Sequence, residues 1–284
     1  MTVKILADSA CDLPESVIEK NRLKVFPISI ILGDEVFKDN VTLKSAKMFD
    51  GMKAGKVFKT SQISRREFQN YFTDLCKEDL DADYVYICFS SGLTKIFESA
   101  TMALKDVKKE FPEFKLTIID TKCASMGYGL AVLKGLELKD TNLSSQKLVS
   151  EVGQFSSKVR HIFTVDDLTY LYRGGRLNKT SYYVGNMLNV KPILHLDNTD
   201  GKLYPYRKTR GTRKMYHEII EIMKKEGNIT KNHKIGISHG NDIEKLNLIK
   251  EMIFNEFEEV EIIDNMMGCT IGAHTGPGAL AIFF

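Results

Sequence analysis

The sequence lacks the patterns that mark metal proteins, disulfide-stabilised proteins and membrane proteins. Its five cysteines are an odd set without a CxxC spacing, which argues against a disulfide framework and a zinc ribbon and predicts reduced thiols. The six histidines form no HExxH pair, so no metal or other cofactor is predicted. No stretch approaches the roughly 20 apolar residues of a membrane span, and the N-terminus holds too short an apolar run for a signal peptide. We therefore expect a cytoplasmic protein with no integral membrane segment.

An excess of charge of one sign is also lacking. The 40 lysines and arginines nearly balance the 37 acidic residues, and a net charge of +3 is too small to indicate a basic nucleic-acid-binding face, so no nucleic-acid partner is expected. The chain contains no P-loop and no protein-kinase motif, which leaves phosphoryl transfer by this chain alone without support. It has no GxSxG nucleophile elbow either. Clustered serines are therefore expected to donate hydrogen bonds rather than to attack a substrate.

Apolar strands and amphipathic helices alternate along the first half of the chain. Helical segments separate the apolar segments VKILA, VFPISII, YVYICF and LTIID, and a near-continuous apolar strand such as YVYICF indicates burial on both faces. This alternation predicts a parallel sheet covered by helices. The second half returns to the same rhythm between MYHEIIEIMKKE and the terminal ALAIFF. We predict an α/β protein of two lobes, residues 1–143 and 144–284.

Polar loops follow three of the predicted strands, where the carboxyl ends of parallel strands commonly bind ligands. These loops are DSACD, SSGL and DTKCAS. In the first, Asp12 is predicted to cap the helix that begins near Pro14. In the second, Ser90 and Ser91 present hydroxyls and Gly92 lets the backbone approach a ligand, an arrangement typical of an anion-binding loop.

A further group of hydroxyls precedes a predicted helix in KTSQISRREF. Ser64 and Glu67 have the spacing of a capping box, in which each side chain pairs with a backbone N–H of the helix start. Thr60 and Ser61 are not needed as caps. They are predicted to donate hydrogen bonds to an anion near the positive end of the helix dipole.

The chain ends in HTGPGALAIFF, which places His274 and Thr275 before a turn and an apolar run. Gly276 and Gly278 permit backbone conformations that a side chain would block, and Pro277 stiffens the turn between them. We interpret this segment as a ligand-binding site followed by a buried strand.

Two basic segments, YLYRGGRL and PYRKTRGTRK, would attract an anion if they faced the site. The first contains Arg173 and Arg176. In the second, Arg207 follows Tyr204 and Tyr206 in a strand-like stretch and is the best candidate for a fixed guanidinium.

Six segments together resemble the DegV family of bacterial fatty-acid-binding proteins. In chain order they are DSACDLP, TSQIS, SSGL, ASMGYG, YLYRGGRL and HTGPGAL, and the likeness covers essentially the whole chain. The resemblance implies two α/β lobes, the first built on a parallel sheet, with a long-chain fatty acid held non-covalently between them and its tail in the second lobe. It also implies that hydroxyls hold the carboxylate, at Thr60 or Ser61 and at Ser90 or Ser91.

The resemblance further implies a partner protein. Family members of the best-understood type present the bound acid to a separate kinase, which phosphorylates the carboxyl group to an acyl phosphate. An arginine and the histidine of HTGPG take part there and correspond most nearly to Arg207 and His274. The chain is then a lipid carrier and the accessory subunit of a fatty acid kinase, not an enzyme on its own. Arg207, Lys208, Arg210 and Arg213 become a candidate docking surface for an acidic face of the kinase.

Two departures from the family pattern bear on the shape of the pocket. Ile63 stands where proline is common, and Lys95 and Ile96 replace the small residues that often follow SSGL. The serines are retained, so carboxylate binding is expected while the preferred acyl chain stays open. We expect the tunnel walls among apolar residues of the second lobe: Phe163, Leu168, Leu188 and Ile193.

The sequence leaves one enzymatic alternative open, a serine esterase or acyltransferase. It would use Ser90 or Ser91 together with His274 and an aspartate such as Asp8 or Asp120, all at predicted strand ends. A monomer is expected in either case.

Overall fold

The structure is a computed structural model that describes residues 3–178 and 190–284. Within these ranges the strands are β1 (Val3–Asp8), β2 (Lys24–Phe26), β3 (Ser29–Leu32), β4 (Glu35–Lys38), β5 (Lys59–Ser61), β6 (Asp83–Cys88), β7 (Lys115–Asp120), β8 (His161–Thr164), β9 (Val190–Leu196), β10 (Leu203–Arg210), β11 (Lys234–His239), β12 (Glu261–Met266) and β13 (Leu280–Phe283). The α-helices of the same ranges are α1 (Glu15–Lys20), α2 (Ser45–Lys53), α3 (Arg65–Glu78), α4 (Ile96–Glu110), α5 (Ser125–Lys139), α6 (Ser145–Ser156), α7 (Thr169–Arg173), α8 (Thr212–Glu226), α9 (Ile243–Glu256) and α10 (Cys269–Thr275). None of the described helices is long and apolar enough to cross a bilayer.

The predicted parallel sheet of the first lobe is confirmed. Its strand order is β2-β1-β6-β7, and each neighbouring pair is parallel. Residues 84–88 of β6 are buried, as the continuous apolar run YVYICF indicates. On one face, Tyr86 packs against Phe68 of α3 with their ring centroids 5.8 Å apart. On the other face, Ile87 packs against Gly135 of α5, so helices cover both faces of the sheet.

The second lobe is built on a mixed six-stranded sheet in the order β10-β9-β8-β13-β11-β12. The terminal strand β13 is antiparallel to both of its neighbours, β8 and β11, and all four of its residues are buried. The prediction of a buried terminal strand is therefore confirmed. The turn before it places Gly276 and Gly278 at φ of 79° and 76°, the left-handed region that glycine adopts without strain.

Helix α5 joins the two lobes. It packs against β1 and β6 of the first sheet and against β11 and β13 of the second. Most of its first twelve residues are buried, because a helix that lies between two sheets has no polar face to offer to solvent. This packing places one face of the second sheet next to the carboxyl ends of β1, β6 and β7 and next to the start of α10.

A third, three-stranded antiparallel sheet has the order β4-β3-β5. Thr60 and Ser61, which the sequence places shortly before a predicted helix, lie in β5, where Thr60 pairs with Ile30 of β3. Pairing of this short strand with β3 fixes the direction of the Thr60 side chain. The capping box that starts α3 is confirmed: Glu67 N donates to Ser64 Oγ (3.2 Å), and Ser64 N donates to the Glu67 carboxylate (2.8 Å).

The predicted cap at Asp12 is wrong. Helix α1 starts after Pro14 without any side-chain cap. Asp12 has a φ of 51° and accepts hydrogen bonds from Gly268 N (2.8 Å) and from the hydroxyl of Ser125 (2.5 Å). The left-handed backbone turns the carboxylate away from α1 and toward the start of α10.

The lobe boundary at residues 143 and 144 stays a prediction. Helix α6 begins at Ser145, directly after it, and packs against α5 and against β6 and β7 of the first sheet. The five cysteines are buried and free.

Candidate functional site

An apolar cavity of about 450 Å³ lies between the first sheet's loops, the second sheet and α10. Its apolar lining consists of Ile28, Phe89, Leu93, Ile96, Ala124, Phe163, Leu171, Leu196, Leu203, Met267, Ile271, Ala281 and Phe283. Its polar lining consists of Thr60, Ser61, Gln62, Thr94, Lys95, Ser125, His161, Arg176, Thr270, His274 and Thr275. Such a cavity suits a ligand with a large apolar part and a small polar part.

The predicted tunnel walls are partly found in this lining. Phe163 of β8 lines the cavity, as expected. Leu168 is buried in the same apolar core but is not part of the lining. Ile193 points to the opposite side of the second sheet, where it packs with the residues under α8 and α9. Leu188 lies outside the described residues.

Thr60 and His274 meet at the polar part of the cavity. Thr60 Oγ1 lies 2.8 Å from His274 Nε2, which joins β5 of the first lobe to the last turn of α10. Burial, together with the smaller effect of the positive charge of Arg176, lowers the pKa of His274 to about 3. The imidazole is therefore neutral at pH 7. Its Nδ1 is buried and has no hydrogen-bond partner among the described residues.

Arg176 brings a positive charge to the same place. Its Nε donates to Leu93 O (3.2 Å), and its Nη1 donates to Gly174 O. Burial lowers the pKa of Arg176, but a guanidinium stays charged at any physiological pH. No carboxylate of the described residues pairs with Arg176, whereas the partly buried Lys38, Lys122 and Lys245 each pair with an acidic side chain. The unpaired charge favours an anionic ligand.

A second, smaller cavity of about 200 Å³ shares Thr60, Arg176 and His274 with the first. Lys59 and Arg173 also line it. The Thr60–His274 pair thus lies where the apolar cavity meets a space lined by basic side chains, and an anionic group would sit at this junction.

The SSGL loop between β6 and α4 does not present its serines to the cavity. Ser90 is fully buried, and its hydroxyl donates to Gly201 O (2.8 Å) in the turn between β9 and β10. The Ser91 hydroxyl accepts from Lys122 Nζ (2.6 Å), and Gly92 N donates back to Ser90 Oγ (3.2 Å). These three predicted ligand-binding residues are therefore already engaged within the protein, and the geometry gives no support to their contact with a ligand.

Several residues of the cavity lining are not among the ligands predicted from the sequence, and three of them are notable. Thr94 directly follows the SSGL segment and lines the cavity, whereas the two serines of that segment do not. Gln62 lies in the TSQ segment, where Gln62 Oε1 accepts from Lys95 N (3.2 Å). His161 accepts from Ala124 N (3.2 Å) and faces Val159 O (3.1 Å), so both of its nitrogens are occupied.

The remaining predicted site residues divide into two groups. Ser61 and Thr275 line the cavity, although the Thr275 hydroxyl donates to Ile271 O (3.1 Å). Arg207 is not part of the described lining. It lies on β10, pairs with Glu218 of α8 and stacks over Tyr206. The sequence ranked Arg207 above Arg176 because of its aromatic neighbours, but the structure brings Arg176 to the cavity.

Two buried carboxylates hold α10 in place. Asp39 accepts from Cys269 N (2.8 Å), Thr270 N (3.0 Å) and the Thr270 hydroxyl (2.6 Å). Asp12 accepts from Gly268 N at the N-cap position of the same helix. Burial raises the pKa of Asp12 to about 8, and the nearby negative charge of Asp39 adds to this rise. No metal site of three or more His, Cys, Asp or Glu side chains exists in the described part of the chain.

Two α/β lobes that share a helix and enclose an apolar cavity with a cationic, hydroxyl-lined end define a small-molecule-binding α/β protein. The chain belongs to the DegV family, described as "Uncharacterised protein, DegV family", which it matches over residues 2–284. A DegV domain-containing protein of Caldanaerobacter subterraneus subsp. tengcongensis is 35% identical over 283 residues, which cover 99% of this chain and 98% of that protein.

Two solved structures are similar over the whole chain. DegV from Bacillus subtilis, described as a fatty acid binding protein, has a TM-score of 0.87 and 27% identity, covering 100% of this chain and 98% of that chain. A DegV family protein from Thermus thermophilus, described by its fatty acid binding, has a TM-score of 0.88 and 25% identity, covering 100% of this chain and 99% of that chain. The predicted family and the two-lobed α/β fold are confirmed.

The raised pKa of Asp12 gives a testable dependence of stability on pH. Since the folded-state pKa of about 8 lies above the ordinary value of 3.8, folding favours the protonated carboxyl, and this stabilisation is lost as the pH rises from about 4 through 8. Asp12→Asn keeps a neutral side chain that accepts from Gly268 N and donates to Ser125 Oγ, and asparagine tolerates a positive φ. The free energy of unfolding of this variant relative to the wild type should therefore increase between pH 5 and pH 8.5.

Urea unfolding followed by circular dichroism at several pH values measures this difference. Asp34→Asn, in an exposed turn, is the matched control and should follow the wild-type pH profile. An Asp12→Asn curve parallel to that of the wild type would mean that Asp12 is ionised in the folded protein.

Proposed function

We propose that the protein binds a long-chain fatty acid non-covalently and presents its carboxyl group to a separate kinase for phosphorylation to an acyl phosphate. The observation that carries the first part is Arg176, which has no acidic partner among the described residues and lies beside the Thr60–His274 pair at one end of an apolar cavity. Fatty acid binding by the similar proteins of Bacillus subtilis and Thermus thermophilus supports it.

The carboxylate is expected to bind between Thr60, Thr94 and Arg176, all of which line the cavity. A carboxylate that leaves water loses several kcal/mol of hydration, which must be offset by charge-assisted hydrogen bonds. Because His274 is neutral, its Nε2–H can donate to Thr60 Oγ1, which leaves the threonine hydroxyl free to donate to the carboxylate. Arg176 then supplies the opposite charge.

The acyl chain supplies most of the affinity. Each CH₂ group that moves from water into an apolar site contributes about 0.8 kcal/mol. Phe163, Ala281 and Phe283 form one continuous apolar wall on neighbouring strands of the second sheet, in line with a tail that runs into the second lobe. A ligand with a long alkyl chain gains from this wall, and a short polar anion does not.

The serine esterase alternative finds no support in the geometry. Of the two candidate serines, Ser91 accepts a hydrogen bond from Lys122 Nζ (2.6 Å), and this ammonium group is also paired with Asp120 (2.8 Å), so it is not placed as a base. Among the described residues, His274 is hydrogen-bonded to Thr60 and to neither Ser90 nor Ser91. A nucleophilic serine needs a base within hydrogen-bond reach.

The presentation step rests on an exposed basic surface along β10 and the start of α8, formed by Lys208, Arg210, Arg213 and Lys214. None of these four forms an ion pair with another described residue. Arg213 and Lys214 lie in the first turn of α8, where the helix dipole disfavours a positive charge by roughly 0.3–1 kcal/mol. Such residues do not help the fold, which supports a role in docking an acidic partner surface beside Arg207.

The fatty acid itself is the first expected outcome. Native mass spectrometry of the purified protein should show a bound small molecule in a one-to-one ratio, and denaturing extraction should release it as an unmodified long-chain fatty acid. Protein that carries no such ligand, and that takes up no palmitate after delipidation, would contradict the proposed binding function.

Removal of the Thr60 hydroxyl should weaken the binding of acids selectively. Thr60→Val preserves the shape of the side chain but removes a hydrogen bond to a charged group, which is worth about 1.5–3 kcal/mol, so the Kd for palmitate should rise roughly ten- to hundredfold. The Kd for 1-hexadecanol should change little, since the alcohol carries no charge. Titration calorimetry or displacement of a fluorescent fatty acid measures both constants.

Thr117→Val, on the exposed face of β7, is the matched control for this variant and should leave both constants unchanged. An equal loss for acid and alcohol in Thr60→Val would remove Thr60 from the proposed head-group site.

Charge reversal on the docking surface should separate binding from phosphorylation. The double variant Arg210→Glu, Arg213→Glu should bind palmitate with wild-type affinity, because both side chains are exposed and lie outside the cavity lining. Its phosphorylation by a purified bacterial fatty acid kinase with ATP should fall at least tenfold, because the partner surface is expected to be acidic.

The amount of acyl phosphate formed at fixed kinase concentration measures this effect. Lys20→Glu, at the C-terminal end of α1, also replaces a positive charge by a negative one, but outside the docking surface, and serves as the control. Equal losses of palmitate binding and phosphorylation in the double variant would argue against a docking role.

A further inference from the structure

The two lobes touch backbone to backbone beside the cavity. We call this contact the interlobe seam and define it as Ser90 and Gly92 of the first lobe with Asp200 and Gly201 of the second. A Cβ atom on Gly92 would lie 2.2 Å from Asp200 O, and one on Gly201 would lie 2.1 Å from Ser90 Oγ. Any side chain at either glycine would push the lobes apart.

The N–H and the hydroxyl of Ser90 are both engaged within the protein. Its N–H donates to Cys123 O (3.0 Å), its hydroxyl donates to Gly201 O (2.8 Å), and its Oγ accepts from Gly92 N (3.2 Å). A hydroxyl has one proton to donate. With that proton on Gly201 O, Ser90 has none for a ligand carboxylate.

The chain on each side of the seam runs directly into the cavity wall. Leu93 follows Gly92 in the first lobe. In the second lobe, Leu196 and Leu203 are partners in the β9–β10 ladder and flank the turn that carries Gly201. Separation of the seam would therefore separate Leu93 from this leucine pair and open the cavity between the lobes.

We infer that Ser90 is a positioning residue that keeps the fatty-acid cavity closed at the interlobe seam and so limits the rate at which ligand enters and leaves. It does so without touching the carboxylate. This inference rests on the proposed function, because it concerns the exchange of the ligand named there. Loss of the Ser90–Gly201 hydrogen bond should raise the rates of ligand uptake and release together, since both need the lobes to part.

The test compares ligands with and without a charge. In Ser90→Ala protein loaded with palmitate or with 1-hexadecanol, stopped-flow displacement of the bound ligand by excess fluorescent cis-parinaric acid should give release rates roughly tenfold above the wild type, as expected for the loss of about one hydrogen bond. Uptake should accelerate by a similar factor for acid and alcohol alike. Ser156→Ala, which removes another buried hydroxyl whose own hydrogen bond goes to Gly153 O within α6, should leave both rates unchanged.

A second variant keeps the inference testable if Ser90→Ala folds poorly. Gly201→Ala places a methyl group against Ser90 Oγ and should also accelerate exchange of both ligands. In the double variant Ser90→Ala, Gly201→Ala, the new methyl group at position 201 occupies the space of the removed Ser90 hydroxyl. The exchange rate should therefore rise by less than the product of the two single-variant factors.

Three results would overturn the inference. Acid-selective loss of affinity in Ser90→Ala would make Ser90 a carboxylate ligand. Wild-type exchange rates with a lowered Tm would make it a residue of stability alone, and so would unchanged exchange in Gly201→Ala. A wild-type protein that binds neither acid nor alcohol would instead defeat the proposed function itself.

Discussion

The site depends on buried carboxylates that hold the start of α10 without any basic partner. Asp39 and Asp12 together accept the backbone N–H groups of residues 268–270, which the first turn of a helix leaves unpaired. Both carboxylates belong to the first lobe, whereas α10 leads into the central strand of the second sheet. His274 lies at the other end of this short helix, opposite Thr60. A shift of the start of α10 would move the His274 imidazole away from Thr60. The hydrogen bonds that Asp12 and Asp39 accept therefore fix the geometry of the polar end of the cavity.

The polar end of the cavity contains one neutral side chain, His274, and one charged side chain, Arg176, which contribute differently to ligand binding. Burial and the neighbouring charge keep the His274 imidazole neutral, so it contributes hydrogen bonding without charge. Arg176 contributes a charge that its backbone acceptors, Leu93 O and Gly174 O, hold in place but do not neutralise. A partly buried guanidinium without an acidic partner among the described residues, at the end of an apolar cavity, matches an amphiphile with a negatively charged head group. A second buried cation there would have demanded a second anion, because an unpaired buried charge is costly.

The features that the sequence predicts well are local, and those it misses depend on contacts between distant segments. Alternating apolar segments predict the parallel sheet, and the spacing of Ser64 and Glu67 predicts the capping box, because each pattern lies within a few residues. The SSGL segment looks like an anion-binding loop for the same local reason. Its first hydroxyl instead meets a carbonyl 111 residues away, at Gly201, and the hydroxyl that lines the cavity belongs to Thr94. No local pattern distinguishes these serines from ligand-binding ones, since the distinction is made by which turn of the second lobe packs on them.

The cavity exists because the central strand β13 serves two cores with alternate side chains. Leu280 and Ile282 fill the core beneath α8 and α9, where large branched residues leave no space. Ala281 and Phe283 line the cavity instead, and Ala281 and the residue before α5, Ala124, contribute small side chains to its lining. Larger side chains at these positions would fill the space between β13 and the first lobe and turn the cavity into continuous core. The closed core on one face keeps the strand in place, and the other face lines the cavity of about 450 Å³. Hydrogen bonds at the α10 cap and at the interlobe seam then fix the two lobes relative to each other, and a flexible alkyl chain is the kind of ligand that fits the apolar space between them.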